Sequence, residues 1–324
     1  MLQSFFFKKQ ADSQSLFATE FSPQGVSIAE IEQEPEASRL THCAFLESPQ
    51  KQQVQLLREH VQRHALQGRP CSVVLHPSQY QLLFLDRPEE IPDDELAEAL
   101  RWRIKDLSQI PMAEAVLEVI TLPADAFRGR MQMVYVVVAH RKTIEEKAEA
   151  IKYCGLHLQA IDIGEMALRN IGLLLPQRQQ GFGIVRVEDE GGTINLMEKE
   201  ALYLSRRIEN GLLSLQPDQA EPREVDPNFA FFQTVDSPAE ALLLELQRSL
   251  DYYESQLGKG SIARLHFTPL DADLPLEFLQ ERLGIPVEVM QLNHFLQASE
   301  PWPLKLQQRC IRAIGGALRQ REQA

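Results

Sequence analysis

The sequence predicts an α/β protein made of two similar halves. Each half begins with a β-meander and continues into alternating helices and strands, in the order βββαβα. A polar segment, PQRQQG at 176–181, separates the halves. With 324 residues, of which 44% are hydrophobic and 24% charged, the chain can bury two cores. We therefore predict a first domain over residues 1–178 and a second over 179–324.

Alternation of apolar and polar residues predicts the meander of the first half. Residues 15–32 are typical of a β-hairpin whose connection contains Pro23 and Gly25, and a third strand is expected at 40–46. Helical spacing over 50–66 and a short apolar run at 71–75 continue the pattern. The remaining predictions for this half are strands at 80–85, 115–122, 132–139 and 158–163, and helices at 93–107, 143–153 and 165–174.

The helix predicted at 93–107 is amphipathic and has an acidic start. Its apolar face consists of Leu96, Leu100, Ile104 and Leu107. The acidic cluster around its first turn consists of Glu89, Glu90, Asp93, Asp94, Glu95 and Glu98. Because the helix dipole favours anions at this end, the cluster is explained either as a solvated helix start or as a surface for a basic partner.

The second half repeats the order of elements. Strands are predicted at 182–187, 193–199 and 201–208, and a Pro-rich loop at 216–228. A long helix then begins with Ser237 as N-cap and Pro238 in its first position, and extends to residue 256. The last predicted elements are a strand at 262–267, a helix at 277–283, a strand at 287–290 and a helix at 304–319.

Composition limits the classes of function. The formal net charge of −13 argues against a nucleic-acid partner. The four cysteines form no CxxC pair and the eight histidines show no ligand spacing, so we expect a reducing compartment and no metal site. No apolar run approaches the roughly 20 residues that span a bilayer, which favours a cytoplasmic location.

Several segments resemble PilM, the actin-like protein at the cytoplasmic base of type IV pilus machinery. The similar segments are ELAEALRWRIKDLSQIP at 95–111, GLHLQAIDIGEMALRNIG at 155–172, ELQRSLDYYESQL at 245–257, ERLGIPVEV at 281–289 and AIGGALR at 313–319. They are collinear over nearly the whole chain. The resemblance implies an actin-like (FtsA/PilM-type) two-domain fold, whose duplicated βββαβα cores match the pattern above, with an inserted subdomain at about 78–153.

The resemblance also implies a nucleotide site, and its first hairpin departs from the family pattern. Actin-like ATPases hold phosphates with glycine- and hydroxyl-bearing hairpins and position a metal with a carboxylate. In FATEFSPQGVSIAEIE, Ala18 stands at a glycine position, Glu20 at the aspartate position and Ser27 at the lysine position. Only Ser22 and the turn residue Gly25 retain phosphate-binding character.

The second hairpin, IVRVEDEGGTINL, also lacks residues of the family's phosphate-binding pattern. Arg186 replaces the family's aspartate and Glu188 stands at a glycine, while Gly191 and Thr193 are retained. Carboxylates at 188–190 would lie where phosphates belong, and like charges repel more strongly away from bulk water.

The third element, an adenosine-binding Gly-Gly turn, reads RLHFTPLDA. Phe267 and Thr268 occupy the two glycine positions, and their Cβ atoms would obstruct close backbone approach. Glu245 and Arg248 lie where the family contacts the sugar, but with the other two elements altered, their i,i+3 spacing favours a helix-surface pair. We therefore expect no ATP hydrolysis, lost or weak ATP binding and no cofactor: a pseudo-ATPase.

The resemblance implies a scaffold role. In the family, the N-terminal tail of a PilN-like inner-membrane protein docks as an extended peptide between the insert and the first subdomain. We expect the same partner here, indirect contact with a PilO-like protein and the assembly ATPase, and peripheral attachment to the inner membrane; a homodimer is left open. Two alternatives remain: a functional actin-like ATPase, and a cytoplasmic component of a type II secretion platform of the GspL kind.

Overall fold

The computed structural model describes residues 15–33, 38–209, 211–212, 238–269 and 274–319. The chain divides into two compact units: unit 1 combines Met1–Leu174 with Leu292–Ala324, and unit 2 is Leu175–Gln291. The predicted loop at 216–228 and the predicted N-cap Ser237 lie outside the described residues.

Unit 1 contains a six-stranded sheet in the order β14-β3-β2-β1-β4-β8. The strands are β1 (Ser15–Ser22), β2 (Gly25–Gln33), β3 (Ser38–Glu47), β4 (Pro70–Leu75), β8 (His157–Ile163) and β14 (Gln297–Ala298). The β1–β2–β3 meander is antiparallel, and β4 runs parallel to β1 and β8. The predicted hairpin, third strand and following β4 are confirmed, whereas the parallel pairing of β14 with β3 was not predicted from the sequence.

Four helices belong to this sheet. They are α1 (Gln50–Arg63), α3 (Arg141–Tyr153), α4 (Gly164–Gly172) and α7 (Leu304–Ala317). Side chains of α1 and α3 join the apolar core of one sheet face, with Leu57, Val61, Ile144 and Ile151 buried beside Phe17. Helices α4 and α7 pack against each other, and α7 also contacts β1 to β4.

The insert is a three-stranded antiparallel sheet with one helix. Its elements are β5 (Tyr80–Asp86), α2 (Leu96–Ile104), β6 (Ala115–Thr121) and β7 (Met133–His140), in the sheet order β5-β7-β6. One face packs into the core of unit 1 through Tyr80, Val137 and Ala139. The other face is covered by Leu100 and Ile104 of α2.

Unit 2 is built on a five-stranded sheet in the order β11-β10-β9-β12-β13. Its elements are β9 (Phe182–Glu188), β10 (Gly191–Glu198), β11 (Ala201–Ile208), α5 (Pro238–Ser255), β12 (Arg264–Pro269), α6 (Leu276–Leu283) and β13 (Val287–Val289). The β9–β10–β11 meander is antiparallel and β12 joins β9 in parallel, as the duplicated pattern predicts. Helix α5 contacts β10 and β11, and α6 contacts α5 and β13.

Three predictions about organisation were wrong. The predicted second domain included the last helix, but α7 packs on the sheet of unit 1. The predicted insert included α3, but Ile144 and Ile151 lie in the main core of unit 1. The predicted helix at 93–107 begins at Leu96 and ends at Ile104, so Leu107 lies beyond it and is 53% exposed.

Helix α7 approaches its neighbours closely because it contains two consecutive glycines. A Cβ built on Gly315 would lie 2.0 Å from the carbonyl oxygen of Ala167 in α4. A Cβ on Gly316 would lie 2.5 Å from Cγ2 of Val74 in β4. Asn170 of α4 donates its amide hydrogen to the carbonyl oxygen of Gly315 at 3.0 Å. The glycine pair therefore fixes the distance between α7, α4 and the sheet.

The substitution Gly315→Ala tests this packing. In a free helix, alanine would be favoured over glycine by about 0.5–1 kcal/mol. Here we expect the clash with Ala167 to reverse the sign and to lower the free energy of unfolding by about 1–3 kcal/mol, measured by urea denaturation. The control is Gly260→Ala, where a Cβ meets no atom within 4 Å; equal stability of the two variants would contradict the packing account.

Candidate functional site

The first hairpin contains a buried ion pair. Glu20 of β1 is 3% exposed, and its Oε1 accepts a hydrogen bond at 2.9 Å from Nη1 of Arg312 in α7. Arg312 is 2% exposed and is among the largest fully buried side chains of the described residues. The carboxylate at the position that the family resemblance assigns to the metal-positioning aspartate is thus neutralised by a guanidinium.

A second carboxylate and a tyrosine complete this cluster. Glu165, in the first turn of α4, accepts a hydrogen bond from the hydroxyl of Tyr80, and that hydroxyl accepts one from the backbone N–H of Gly164 at 3.2 Å. Burial raises the pKa of Glu165, while the Tyr80 hydrogen bond and the Arg312 charge act in the opposite direction. Burial also raises the pKa of Tyr80 well above its usual range. We call Glu20, Tyr80, Glu165 and Arg312 the buried arginine cluster.

Gly164 gives the guanidinium room. A Cβ on Gly164 would lie 3.1 Å from Nε of Arg312 and 3.4 Å from the hydroxyl oxygen of Tyr80. Arg312, Tyr80 and Glu165 were not predicted from the sequence as members of this site. The available signal was a single arginine within the otherwise apolar segment CIRAIGGA at 310–317, since a buried arginine requires carboxylate partners.

The residues of the first hairpin with retained phosphate-binding character make local contacts. The hydroxyl of Ser22 donates to the carbonyl oxygen of Gly25 at 3.1 Å, across the two-residue turn. A Cβ on Gly25 would lie 2.3 Å from the carbonyl oxygen of Leu46 in β3. Ser27, at the family's lysine position, donates to the carbonyl oxygen of Arg309 at 2.8 Å. Contacts within the meander are therefore enough to explain why a serine stands at 22 and a glycine at 25.

The second hairpin, in unit 2, also has an internal ion pair. Arg186 of β9 is 3% exposed, and its Nη1 donates to the carbonyl oxygen of Thr268 at 3.0 Å. Its Nε lies 3.4 Å from Oε1 of Glu188. Arg186 therefore bridges β9 and β12, and it partly neutralises the carboxylate that replaces a family glycine.

The retained residues of this hairpin lie in β10. Thr193 is 8% exposed and opposite Arg186 in the antiparallel register, and Gly191 is opposite Glu188. A Cβ on Gly191 would lie 2.7 Å from the carbonyl oxygen of Ile208 in β11, so the meander itself requires a glycine here.

The segment that the resemblance assigns to an adenosine-binding Gly-Gly turn is part of a strand in this protein. Phe267 and Thr268 lie inside β12, which ends at Pro269, two residues beyond the predicted strand end. Both are fully buried and aligned with Val185 and Arg186 of β9. The hydroxyl of Thr268 donates to the carbonyl oxygen of Val185 at 3.4 Å. The structure thus places buried strand residues where the resemblance places a Gly-Gly turn.

Glu245 and Arg248, which the resemblance places near the sugar of a nucleotide, form an ion pair on the surface of α5. Nη1 of Arg248 lies 3.8 Å from Oε1 of Glu245 on α5, with the arginine side chain 58% exposed. This is the i,i+3 contact that the alternative interpretation predicted.

All six residues of the acidic cluster are exposed and lie on the insert. Asp93 is paired with Arg87 at 2.6 Å and Glu98 with Arg101 at 2.9 Å. The remaining members, Glu89, Glu90, Asp94 and Glu95, add four exposed carboxylates at the start of α2. The cluster thus forms one acidic surface on the insert rather than a buried site.

The described residues were also compared with the requirements of a membrane-spanning helix and of a metal site. No described helix is long and apolar enough to cross a membrane. Among the described residues, no three or more His, Cys, Asp or Glu side chains stand in a preformed metal-binding arrangement.

Comparison with known proteins gives matches among experimental structures only. No protein-family profile matches the sequence, and no curated protein sequence matches it. A structure titled as the PilM–PilN type IV pilus biogenesis complex matches with a TM-score of 0.69 and 18% identity, over 94% of this chain and 97% of that chain. The chain has an actin-like fold.

Two further structures are similar at lower scores. The cytoplasmic domain of EpsL, an inner-membrane component of the type II secretion system of Vibrio cholerae, matches with a TM-score of 0.50 and 13% identity, over 93% of this chain and 94% of that domain. A Bacteroides thetaiotaomicron protein described as having an actin-like ATPase fold and unknown function matches with a TM-score of 0.49 and 14% identity, over 88% of this chain and 93% of that chain. At 18% and 13% identity, the PilM–PilN and EpsL structures establish the fold alone, and it is the fold that the sequence predicted.

The double-substitution cycle Glu20→Gln, Arg312→Met tests the buried pair. Arg312→Met alone leaves buried carboxylates without their cation, so we expect a loss of about 3–5 kcal/mol in the free energy of unfolding. The double variant should lose at least about 1 kcal/mol less than the sum of the single variants. Urea denaturation of all four proteins measures the coupling, and a value near zero would show that the pair contributes nothing specific.

Proposed function

We propose that this protein is a non-enzymatic scaffold of a type IV pilus assembly platform. The observation that carries the proposal is the combination of a PilM-like actin fold with buried arginine–carboxylate pairs at the positions assigned to phosphate and metal. A scaffold needs the shape of the fold but not its nucleotide chemistry.

The electrostatics of the first hairpin support the loss of nucleotide binding. A metal-bound nucleotide would need the Glu20 carboxylate as an oxygen ligand or as a partner of metal-bound water. That carboxylate is instead bonded to Arg312, and separating a buried ion pair costs several kcal/mol. In unit 2, Glu188 stands at a family glycine position and pairs with Arg186, which also bonds to the carbonyl oxygen of Thr268, so this arginine is engaged within the protein rather than offered to a phosphate.

The partner we propose is the extended cytoplasmic tail of a PilN-like membrane protein. The similar solved structure is titled as a complex of PilM with PilN. Both sheets of unit 1 end in strands without a second neighbour among the described residues. These edge strands are β8 and the two-residue β14 in the main sheet, and β5 and β6 in the insert. An extended peptide can pair with such an edge, with side-chain pockets adding specificity. The exposed acidic cluster would attract a basic tail and speed encounter.

This partner would hold the protein at the cytoplasmic face of the inner membrane. Indirect contacts with a PilO-like protein and the assembly ATPase follow from the same placement. The narrower proposal is that the protein belongs to the assembly platform of an MSHA-type pilus. MshI proteins, which are small PilM relatives, have this role. Adjacent reading frames that encode PilN-like and PilO-like proteins of an MSHA locus would support it, and a type II secretion locus would contradict it.

A type II secretion platform is the second candidate. The EpsL cytoplasmic domain covers this chain about as completely as the PilM structure does, but with a TM-score of 0.50 against 0.69. The better superposition on the PilM structure favours the pilus.

Calorimetric titration of the full chain with Mg-ATP tests the loss of nucleotide binding. We expect no saturable heat up to millimolar nucleotide, which places the dissociation constant above about 1 mM, and no phosphate release. Binding in the micromolar range would contradict the proposal and would favour the alternative of a functional actin-like ATPase.

Binding to the tail peptide tests the scaffold role and the acidic cluster separately. The probe is a synthetic peptide of the first dozen residues of the neighbouring PilN-like protein, titrated into the full chain by fluorescence anisotropy. We expect Asp94→Lys/Glu95→Lys to weaken binding about 3- to 30-fold, with the effect shrinking at high salt, since exposed pairs are worth about 0.2–1 kcal/mol each.

The matched control is Glu277→Lys/Glu281→Lys, two exposed carboxylates on α6 of unit 2 with the same change in charge. Equal weakening by both variants would indicate a general charge effect and contradict a role for the cluster. No binding of the peptide to the folded natural chain would contradict the partner itself.

A further inference from the structure

Helix α2 of the insert carries a tryptophan on its outer face. Trp102 is 80% exposed, more than any other large hydrophobic residue in the described part of the chain. Leu107, in the turn that follows the helix, is also exposed, so two of the five exposed large hydrophobics among the described residues belong to this one segment. Because apolar side chains gain free energy by leaving water, exposed apolar residues grouped on one segment are typical of an interaction surface.

Contacts within the protein do not explain this tryptophan. Leu100 and Ile104 cover the sheet of the insert, and Trp102 lies two residues from each of them, which places it on the opposite side of the helix. Its indole N–H makes no hydrogen bond with any residue that the structure describes. Neither packing nor hydrogen bonding within the described residues therefore requires a tryptophan at this position.

Tyr153 of α3 shows how another exposed ring of unit 1 is covered by the chain itself. The guanidinium of Arg58 lies 4.4 Å from its ring centre, and its hydroxyl donates to Oε1 of Gln55 at 3.3 Å. At Trp102 the ammonium of Lys105 lies 5.8 Å from the ring centre, near the outer limit of a cation–π contact. The indole of Trp102 therefore has room for a closer cation from outside the chain.

The charges around Trp102 are mainly negative. Glu98 precedes it by one helical turn and Glu95 by two, and Asp106 follows it by one turn; all three are exposed. Asp94 and Glu95 make no ion pair within the described residues. Over residues 86–107 there are eight acidic and four basic side chains. The surface around the tryptophan therefore complements a basic partner.

This charge also decides between classes of partner. A tryptophan beside basic residues is typical of contact with anionic lipid, and Arg103 and Lys105 are exposed basic residues next to Trp102. The twofold excess of carboxylates in the same segment would repel an anionic bilayer, however, since its surface attracts cations. A second copy of the chain is disfavoured as well, because a two-fold contact would bring two identical acidic surfaces together.

We propose that the outer face of α2 is a docking surface for a basic segment of a partner protein, with Trp102 as its anchor residue. An arginine of the partner would lie on the indole, and neighbouring cations would pair with Asp94 and Glu95. Arginine suits this position better than lysine, because its planar guanidinium stacks on an aromatic face. The inference goes beyond the proposed function, since it requires neither a pilus protein nor pairing with a strand edge.

Titration of the full chain with fluorescein-labelled tetra-arginine and tetra-lysine peptides at low salt, followed by fluorescence anisotropy, tests the proposal. We expect tetra-arginine to bind about 2- to 5-fold more tightly than tetra-lysine, the range that an exposed cation–π contact supplies. Trp102→Ala should abolish this preference, and Trp102→Phe should keep part of it, because phenylalanine binds cations less well than tryptophan. Asp94→Asn/Glu95→Gln should weaken both peptides and leave the preference in place.

The matched control is Tyr153→Ala, which removes another exposed aromatic residue of unit 1 whose ring Arg58 already covers. This variant should keep the preference for tetra-arginine. Because Trp102 is exposed, Trp102→Ala should keep its fold, which far-UV circular dichroism checks. An equal preference in the natural chain and Trp102→Ala, or an equal loss of preference in Tyr153→Ala, would overturn the proposal.

The variant Trp302→Phe leaves Trp102 as the single tryptophan, so its fluorescence reports docking directly. Only the backbone of residue 302 bonds to Asn293 and Gln307, and phenylalanine retains those bonds. Tetra-arginine should protect this fluorescence from quenching by acrylamide. Protection by phosphatidylglycerol vesicles but not by tetra-arginine would identify a membrane surface, and protection by a rise in protein concentration alone would identify a second copy; either result would overturn the proposal.

Discussion

A buried arginine must keep its carboxylates close, and in this protein that requirement links three parts of unit 1. Arg312 lies on the last helix, Glu20 on the first strand and Glu165 at the start of α4. Because an unpaired charge in the interior is far more costly than a paired one, the arginine holds the end of the chain against its beginning. The glycine pair beside it, Gly315 and Gly316, lets α7 come close enough for the contact to form.

The same interaction balances charge at the first hairpin with groups of the protein itself. In a nucleotide-dependent protein, phosphates and a metal would balance charge at the first hairpin. Here the guanidinium of Arg312 neutralises the Glu20 carboxylate. In unit 2, Arg186 bonds to the carbonyl oxygen of Thr268 and pairs with Glu188. Internal arginines thus balance these carboxylates, and the proposed scaffold function rests on this charge balance.

The sequence predicted most of the fold because its signals are local. Three signals depend on residues near in the chain: alternation over β1 and β2, Pro23 in the turn with Gly25 directly after it, and the helical period of α5. The wrong predictions concern contacts that depend on distant residues. Leu107 fits the apolar period of α2, yet the helix ends at Ile104; α7 follows unit 2 in sequence but buries its apolar face in unit 1. Periodicity identifies a buried face without identifying what covers it.

The candidate site was predicted only in part for the same reason. The replacements at Glu20, Arg186 and Phe267 can be identified one residue at a time by comparing the sequence with the family pattern. Their partners are not: Arg312 is 292 residues from Glu20, and Thr268 is 82 residues from Arg186. In the same way, His42 on β3 lies beside His60 and His64 of α1, a contact that the linear spacing of the eight histidines does not indicate.

The most direct test of the account is a crystal structure of the full chain grown with millimolar Mg-ATP. The account predicts Glu20 still bonded to Arg312, Arg186 still bonded to the carbonyl oxygen of Thr268, and no density for a nucleotide at either hairpin. A bound nucleotide whose metal is coordinated through Glu20, with Arg312 displaced, would contradict it.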